Sequence, residues 1–415
     1  MEKHQRKWLV LGGVLATTWL LVWLLIGVVS AGFAEESNYS FFLPAVYQHF
    51  SAYEWTEVGV PNVAEATFEI DPNRPETLYL GMLSSPGAWR SPDGGDNWAM
   101  MGNGLPITTS VSQFTLAPVS PTVIYAEVHG DPLRQIYRSL DGGDSWQGLT
   151  RVSVYRILSL AVNPITPTTV YVSVHSFKSP TSGGEVYRST NGGQNWVQIL
   201  PHHTLAADIV IDPQNPAVVY IGQFSSGVMK STDGGDTWQA INTGLPSDDI
   251  AVYQILLHPY DSQTLYIVTG EGLFRSFDGG NSWGSFGAGL PVPRVSSLAF
   301  MPGTPEILFA TPVEGDDYYG IYRSLDEGNS WQRFAPNPVN ERPIKLGVQV
   351  GDTINLFVLY DDYWNQNGRF WKLGPISPYT NFTCYLLSPF NVSSFTSITA
   401  EVVASIRARM ASRGP

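Results

Sequence analysis

The chain has 415 residues, 43% of them apolar and only 14% charged, with 40 glycines, 30 prolines and a formal net charge of -13. That length buries a large core, and the glycine and proline content suits a turn-rich all-β protein. The acidic balance excludes nucleic acid and anionic lipid as electrostatic partners, and a single cysteine, Cys384, excludes an internal disulfide.

The first 34 residues stand apart. Lys3, Arg6 and Lys7 precede an apolar run from Trp8 to Val29, followed by SAGFAEE. Small residues at Ala31 and Ala34 fit signal-peptide cleavage, while the run is also long enough to span a bilayer as a retained anchor. Residues 1–34 therefore read as signal peptide or N-terminal membrane anchor, and both place the remainder outside the cytoplasm, secreted or tethered. Residues 35–50 read as a linker. Next comes YEWTEVGVP (53–61), an isolated strand with no neighbour in sequence to pair with.

From here the chain repeats. WRSPDGGDNW (89–98), YRSLDGGDSW (137–146), YRSTNGGQNW (187–196), MKSTDGGDTW (229–238), FRSFDGGNSW (274–283) and YRSLDEGNSW (322–331) recur at steps of 48, 50, 42, 45 and 48 residues. Such a period predicts propeller blades. Each phrase reads as strand, hairpin turn, strand. The acid (Asp93, Asp141, Asp233, Asp278, Asp326) accepts from turn amides, and the glycine two places on (Gly95, Gly143, Gly193, Gly235, Gly280, Gly328) takes positive φ without strain. Ser91, Ser139, Ser189, Ser231, Ser276 and Ser324 begin each turn, and Trp98, Trp146, Trp196, Trp238, Trp283 and Trp331 open the next strand with a ring to bury. Asn191 replaces the acid once and Glu327 the first glycine once, so geometry is kept where charge is not.

A second phrase precedes each copy, as in IDPNRPETLYLG (70–81) and IDPQNPAVVYIG (211–222): a strand, a Pro-rich turn, then a β-branched and aromatic strand. Four strands per unit result. A seventh unit keeps VQVGDTINLFVLY (348–360) and GRFWKL (368–373), aligned with Gly368 and Phe370 in the places of Gly320 and Tyr322, but has no fourth strand. The isolated strand at 53–61, with Trp55 as repeat Trp, is expected to supply it and close a seven-bladed ring over residues 51–375. Residues 376–415 form a C-terminal tail, irregular and polar to 397 and then a short helical pattern, with no assigned role. Asn38, Asn381 and Asn391 lie in glycosylation triplets.

The pattern S-x-D-x-G-x-x-W resembles the Asp-box, or bacterial neuraminidase (BNR) repeat, of the sialidase-like superfamily, and the DP-x-x-P, RS-x-DGG-x-x-W and GLP phrasing is most similar to xyloglucanase-type and photosystem II assembly-factor propellers, beside sortilin. The resemblance implies a β-propeller scaffold and leaves function open, because such scaffolds host unrelated activities.

Ligands of propellers usually enter on the rim away from the Asp-box turns, as the resemblance implies. There the loops EGDDYYG (314–320) and DDYWNQNG (361–368) bring Glu314, Asp316, Asp317, Tyr318, Tyr319, Asp361, Asp362, Tyr363 and Trp364 together on adjacent blades. Aromatic faces beside carboxylates suit sugar rings, and the same composition is ordinary for solvated loop tips. Paired carboxylates also make calcium conceivable, without any dedicated loop pattern, and no other cofactor is implied. His129, Asp131, Arg134, His175, Lys178, His202 and His203 form a second polar group without metal-ligand spacing. The cation before each repeat Ser (Arg90, Arg138, Arg188, Lys230, Arg275, Arg323) reads as structural, because it recurs in every unit.

Catalytic residues are not identified. Sialidases open a six-bladed ring with Arg-Ile-Pro, which this chain lacks; its nearest phrase surrounds Arg294. Xyloglucanase-type enzymes place one carboxylate on each of two propellers, and this length holds one. Asp248 with Asp249, or Asp316 with Asp361, are the pairs a single rim offers, and the spacing selects neither. The expectation is a non-catalytic, exported platform that binds protein or glycan. The alternative is a glycoside hydrolase of the Asp-box type.

Overall fold

The computed structural model describes residues 54–59, 66–82, 87–106, 110–129, 134–152, 156–176, 183–200, 205–313, 320–339, 341–351, 353–361 and 369–376. Residues 1–34, read above as signal peptide or anchor, residues 35–50 and the tail beyond Ile376 lie outside these residues. Among the described residues all regular structure is β, and no helix is long and apolar enough to cross a membrane.

The 28 described strands form seven four-stranded antiparallel sheets. Six are contiguous: blade 1 (66–101), blade 2 (110–148), blade 3 (156–200), blade 4 (206–240), blade 5 (252–286) and blade 6 (295–336). Blade 7 takes three strands from 342–376 and its fourth from Glu54–Glu57. The innermost strands of successive blades pack against each other all the way round, blade 7 against blade 1 included, and enclose a channel. An apolar cluster fills each of the seven blade joints.

The closure occurs as the sequence predicts. Glu54, Trp55, Thr56 and Glu57 face Gly374, Leu373, Lys372 and Trp371, and the Val58 amide donates to the Phe370 carbonyl at 2.8 Å. Trp55 precedes the residue opposite Lys372 just as Trp98 precedes the residue opposite Arg90, so it occupies the repeat Trp position. Its indole N–H donates to the Pro336 carbonyl of blade 6 at 3.0 Å. The alignment of the third strand needs correcting by one residue. Lys372 lies opposite Phe357 as Arg323 lies opposite Phe309, which puts Trp371, not Phe370, in the place of Tyr322. Without a Ser-x-Asp turn to fix the register, nothing in the sequence of this blade prevented the slip.

The Asp-box turns are self-contained hydrogen-bond units. In all six, the serine hydroxyl donates to the side chain two residues on and accepts the amide of the second glycine at 2.8 Å. The same acid, or Asn191, accepts the backbone amide four residues further on, as from Asn195 to Asn191 at 2.9 Å. Bonds from Thr237 and Ser282 hold Asp233 and Asp278 below the usual carboxylate range. The amide of the first glycine, or of Glu327, reaches back to the Pro-rich turn of its own blade, as in Gly94 to the Glu76 carbonyl at 2.7 Å, so both turns share one rim.

In five of the six turns the cation before the serine joins neighbouring blades, and Arg323 instead lies over the Phe334 ring of its own blade. Arg90, Arg138, Arg188, Lys230 and Arg275 donate to the carbonyls of Gly142, Gly192, Gly234, Gly279 and Glu327 in the next blade, and Lys372 of blade 7 makes the same bond onto Gly94 of blade 1 at 3.0 Å. Glu327 stands at φ 57, where the other boxes have glycine between 68 and 72. A side chain in this left-handed region costs roughly 1–2 kcal/mol, of which about 0.5–1 is offset by the greater freedom of glycine in the unfolded chain. Glu327→Gly is therefore expected to raise the unfolding free energy by about 0.5–1 kcal/mol, read as a higher urea midpoint at unchanged slope; a lower midpoint would mean that the Glu327 side chain makes a compensating contact.

Candidate functional site: the channel and its mouth

The channel, about 650 Å³, is lined by the first strands of all seven blades. In blades 2 to 7 that strand carries a register shift at one recurring place, before Gln113, Ser159, Asp208, Gln254, Ser297 and Lys345. An innermost strand has one edge with no strand beside it, and its amides need partners. The residues after the bulges supply them across the joints. Ser159 accepts the Ile209 amide at 3.2 Å, Asp208 that of Ile255 at 2.8 Å and Ser297 that of Leu346 at 3.2 Å. Gln254 both accepts from and donates to the Leu298 backbone at 3.0 Å. Lys345 bonds Glu69 at 2.5 Å across the joint where blade 7 meets blade 1.

Asp208 differs from the other members of this belt. It carries a charge with no ion-pair partner among the described residues, since Lys345 is held by Glu69. Burial pushes its carboxyl up to about 6, against the opposing pull of the Ile255 amide and Lys345. The folded state thus binds this proton more tightly than the unfolded chain. Its contribution is most favourable below pH 4 and is lost as pH rises through about 6. Asp208→Asn, which keeps an oxygen for the Ile255 amide, is expected to remove about 2 kcal/mol of the decline in stability between pH 4 and 7.5. Chemical denaturation of both proteins at the two pH values checks this, and parallel pH dependence would show that the carboxyl ionises without penalty.

At the rim away from the Asp-box turns the channel opens into a cleft of about 460 Å³ lined by Tyr253, Thr269, Arg294, Val295, Ser296, Val313, Arg342 and Ile344. Tyr253, Ser296 and Ile344 line both spaces, so the cleft is continuous with the channel. They are the bulged residues of blades 5, 6 and 7. The bulge turns them toward the mouth. Arg294 donates to the Gly270 carbonyl at 2.9 Å, while Arg342 is exposed and makes no ion pair with a described residue. Tyr253 and the neighbouring Phe224 meet edge to face at 6.1 Å and stay 47% and 41% exposed. The cleft lining contains no carboxylate among the described residues.

Val313, in the cleft lining, is the last described residue before 314–319, and Asp361, opposite Arg342 in the strand register, is the last before 362–368. Glu314, Asp316, Asp317, Tyr318, Tyr319, Asp362, Tyr363 and Trp364 lie outside the described residues, and only the backbone of Asp361 is described, at the end of its strand. Asp248 and Asp249 lie exposed on the link between blades 4 and 5, with the Asp249 amide on Ser247 at 3.0 Å.

Of the second polar group, His129 meets two residues the sequence did not single out. Ser112 donates to Glu127 and lies 2.8 Å from Nε2 of His129, and Glu127 lies 3.3 Å from that same nitrogen. In a nucleophile relay the acid holds the other ring nitrogen, so this triangle lacks the orienting bond. Glu127 also accepts the Ile157 amide at 3.2 Å, another bond across a blade joint. His175 faces Arg156 on the neighbouring strand of blade 3; Asp131, Lys178, His202 and His203 lie outside the described residues, as does the side chain of Arg134. Among the described residues no group of three or more His, Cys, Asp or Glu side chains is placed to share a metal ion.

Ring and turns together define a seven-bladed Asp-box β-propeller, resembling sortilin-type, xyloglucanase-type and photosystem-assembly-type propellers. The family profile described as "Sortilin, neurotensin receptor 3" matches residues 226–342. Xyloglucanase Xgh74A of Acetivibrio thermocellus is 28% identical over 225 residues, covering 45% of this chain and 26% of that protein. A xyloglucanase from a Paenibacillus species is 26% identical over 207 residues, 41% of this chain and 20% of its own length. The chain thus spans about a quarter or less of these curated relatives. Among solved structures, YCF48 from Cyanidioschyzon merolae superposes with a TM-score of 0.56 at 15% identity, over 77% of this chain and 99% of that one. An ancestral GH74 enzyme does so with a TM-score of 0.57 at 18% identity, over 76% and 47%. These likenesses establish the fold.

Proposed function

We propose that this chain is an exported, non-catalytic propeller whose channel mouth binds an extended segment of a partner protein. The mouth cleft carries the reading: two arginines at an opening flanked by Tyr253 and Phe224, on a chain whose net charge is otherwise strongly negative. Guanidinium forks beside aromatic faces suit carboxylates and backbone carbonyls of an extended peptide. A YCF48 structure with a D1 peptide bound, similar to this chain at a TM-score of 0.57 and 15% identity, provides a fold-level parallel.

The match to xyloglucanases favours a second reading, a glycan ligand on the same rim, with the loops 314–319 and 362–368 as its platform and hydrolysis as its extension. Both are decided together by testing the full chain on an array of short peptides of varied charge and on xyloglucan gel. Retention by acidic peptides is expected, with affinity falling at least tenfold, about 1.4 kcal/mol, in the Arg294→Ala, Arg342→Ala variant. Retention on xyloglucan alone, with release of reducing ends, would replace the protein reading by the enzymatic one.

A further inference from the structure

We propose that the channel contains a binding site for a primary alkylammonium group, the head of a lysine-like side chain, at Asp208. The inference rests on the mouth being the entry site for a partner segment and names a chemical feature of that segment. The channel wall facing the carboxylate carries Glu69 and Lys345 as its charged groups, and these two neutralise each other at 2.5 Å. The neighbouring first strands of blades 3 and 5 present Ser159 and Gln254, which are uncharged. One negative charge is therefore left uncompensated inside a polar space open to solvent through the mouth.

The position suits a group entering from that side. Asp208 follows its strand's bulge directly, at the register that Gln254 and Ser297 occupy just inside Tyr253 and Ser296. One residue along a strand is about 3.3 Å, so the carboxylate lies within reach of a lysine-length side chain whose backbone stays at the opening. A single positive charge matches the single uncompensated negative one. An ammonium has three donors, and the surrounding wall offers hydroxyl and amide oxygens beside the carboxylate. Asp208 is half-buried on the channel wall, so pairing offsets part of the cost of holding a lone ion there, a gain that a fully exposed aspartate does not provide. Because the free carboxyl titrates near pH 6, occupancy should also follow pH.

The test uses the full chain and n-butylammonium, with n-butanol as a neutral probe of the same shape, followed by ligand-observed NMR. Saturable binding of the amine and none of the alcohol is expected, about tenfold weaker at pH 5 than at pH 7.5 as the carboxyl protonates. Asp208→Asn, verified as folded by its unchanged circular dichroism, should abolish it, whereas Arg342→Ala should leave it intact. Equal binding of amine and alcohol, or amine binding unaltered in Asp208→Asn, would overturn the assignment. Loss of acidic-peptide binding in the arginine variant with amine binding retained supports both readings. Amine binding without any peptide binding keeps this site and rejects the proposed partner segment.

Discussion

Deleting residues 54–59 is expected to lower the melting temperature by about 10 °C and to make the protein aggregate as it unfolds. The segment supplies the fourth strand of blade 7, the buried side chain of Val58 and the Trp55 bond to Pro336. Loss of that apolar burial costs on the order of 4–6 kcal/mol, and for a ring of this size each kcal/mol corresponds to roughly 2 °C. The deletion also leaves the edge of Arg369–Ile376 unpaired, which is a template for association with other chains. Scanning calorimetry of the deletion, with and without a synthetic peptide of the missing strand, checks the account. Partial recovery in the presence of the peptide is expected; an unaltered melting temperature would show that the ring holds without its N-terminal strand.

Gly244→Ala is expected to cost about 3 kcal/mol or more. Gly244 sits at φ +91, and a Cβ there would collide with the carbonyl oxygen of Trp283 in the following blade and press on its backbone nitrogen at 3.2 Å. The Trp283 amide donates to the Thr243 carbonyl at 2.9 Å, so neither backbone can withdraw without losing that bond. Strain at positive φ and overpacking against main chain add in the same direction. Gly284→Ala is the control, because nothing lies within 4 Å of its Cβ direction, and it should change stability by no more than about 0.5 kcal/mol. Urea unfolding of the pair separates the two; similar midpoints would mean that the link between blades shifts freely.

The same contact recurs where Gly104 meets Trp146 and Gly289 meets Trp331. All three glycines begin the phrase Gly-Leu-Pro, so the sequence carries the signal, although it served there only as part of a likeness. Legibility followed this pattern throughout. Six turns with Ser, Asp, Gly and Trp at fixed spacing gave the blades, and an isolated Trp-bearing strand gave the closure, because each turn needs those residue types to satisfy its own amides. Blade 7, lacking the turn, slipped by one position. The belt inside the channel was not legible. Gln113, Ser159, Asp208, Gln254, Ser297 and Lys345 are all polar but span amide, hydroxyl, carboxylate and ammonium, so no single motif marks them, and what aligns them is a backbone bulge. Arg342 was missed for a related reason: its importance comes from Arg294 and Tyr253, which lie across a joint and far away in sequence.

The closing strand also dictates an order of events in time. Glu54 and its partner Gly374 are 320 residues apart in the sequence, so the first strand to leave the ribosome is the last to find its place. Six blades complete themselves from adjacent segments as they are synthesised, whereas the seventh waits for both ends of the ring to meet. Chain entropy penalises so distant a meeting only logarithmically with length, but the search for it is slow. Until then the protein is an open arc with an apolar blade face bare at each end and the outer edge of blade 7 unpaired, and that interval, more than the finished ring, is when it is exposed to misassembly with a second copy.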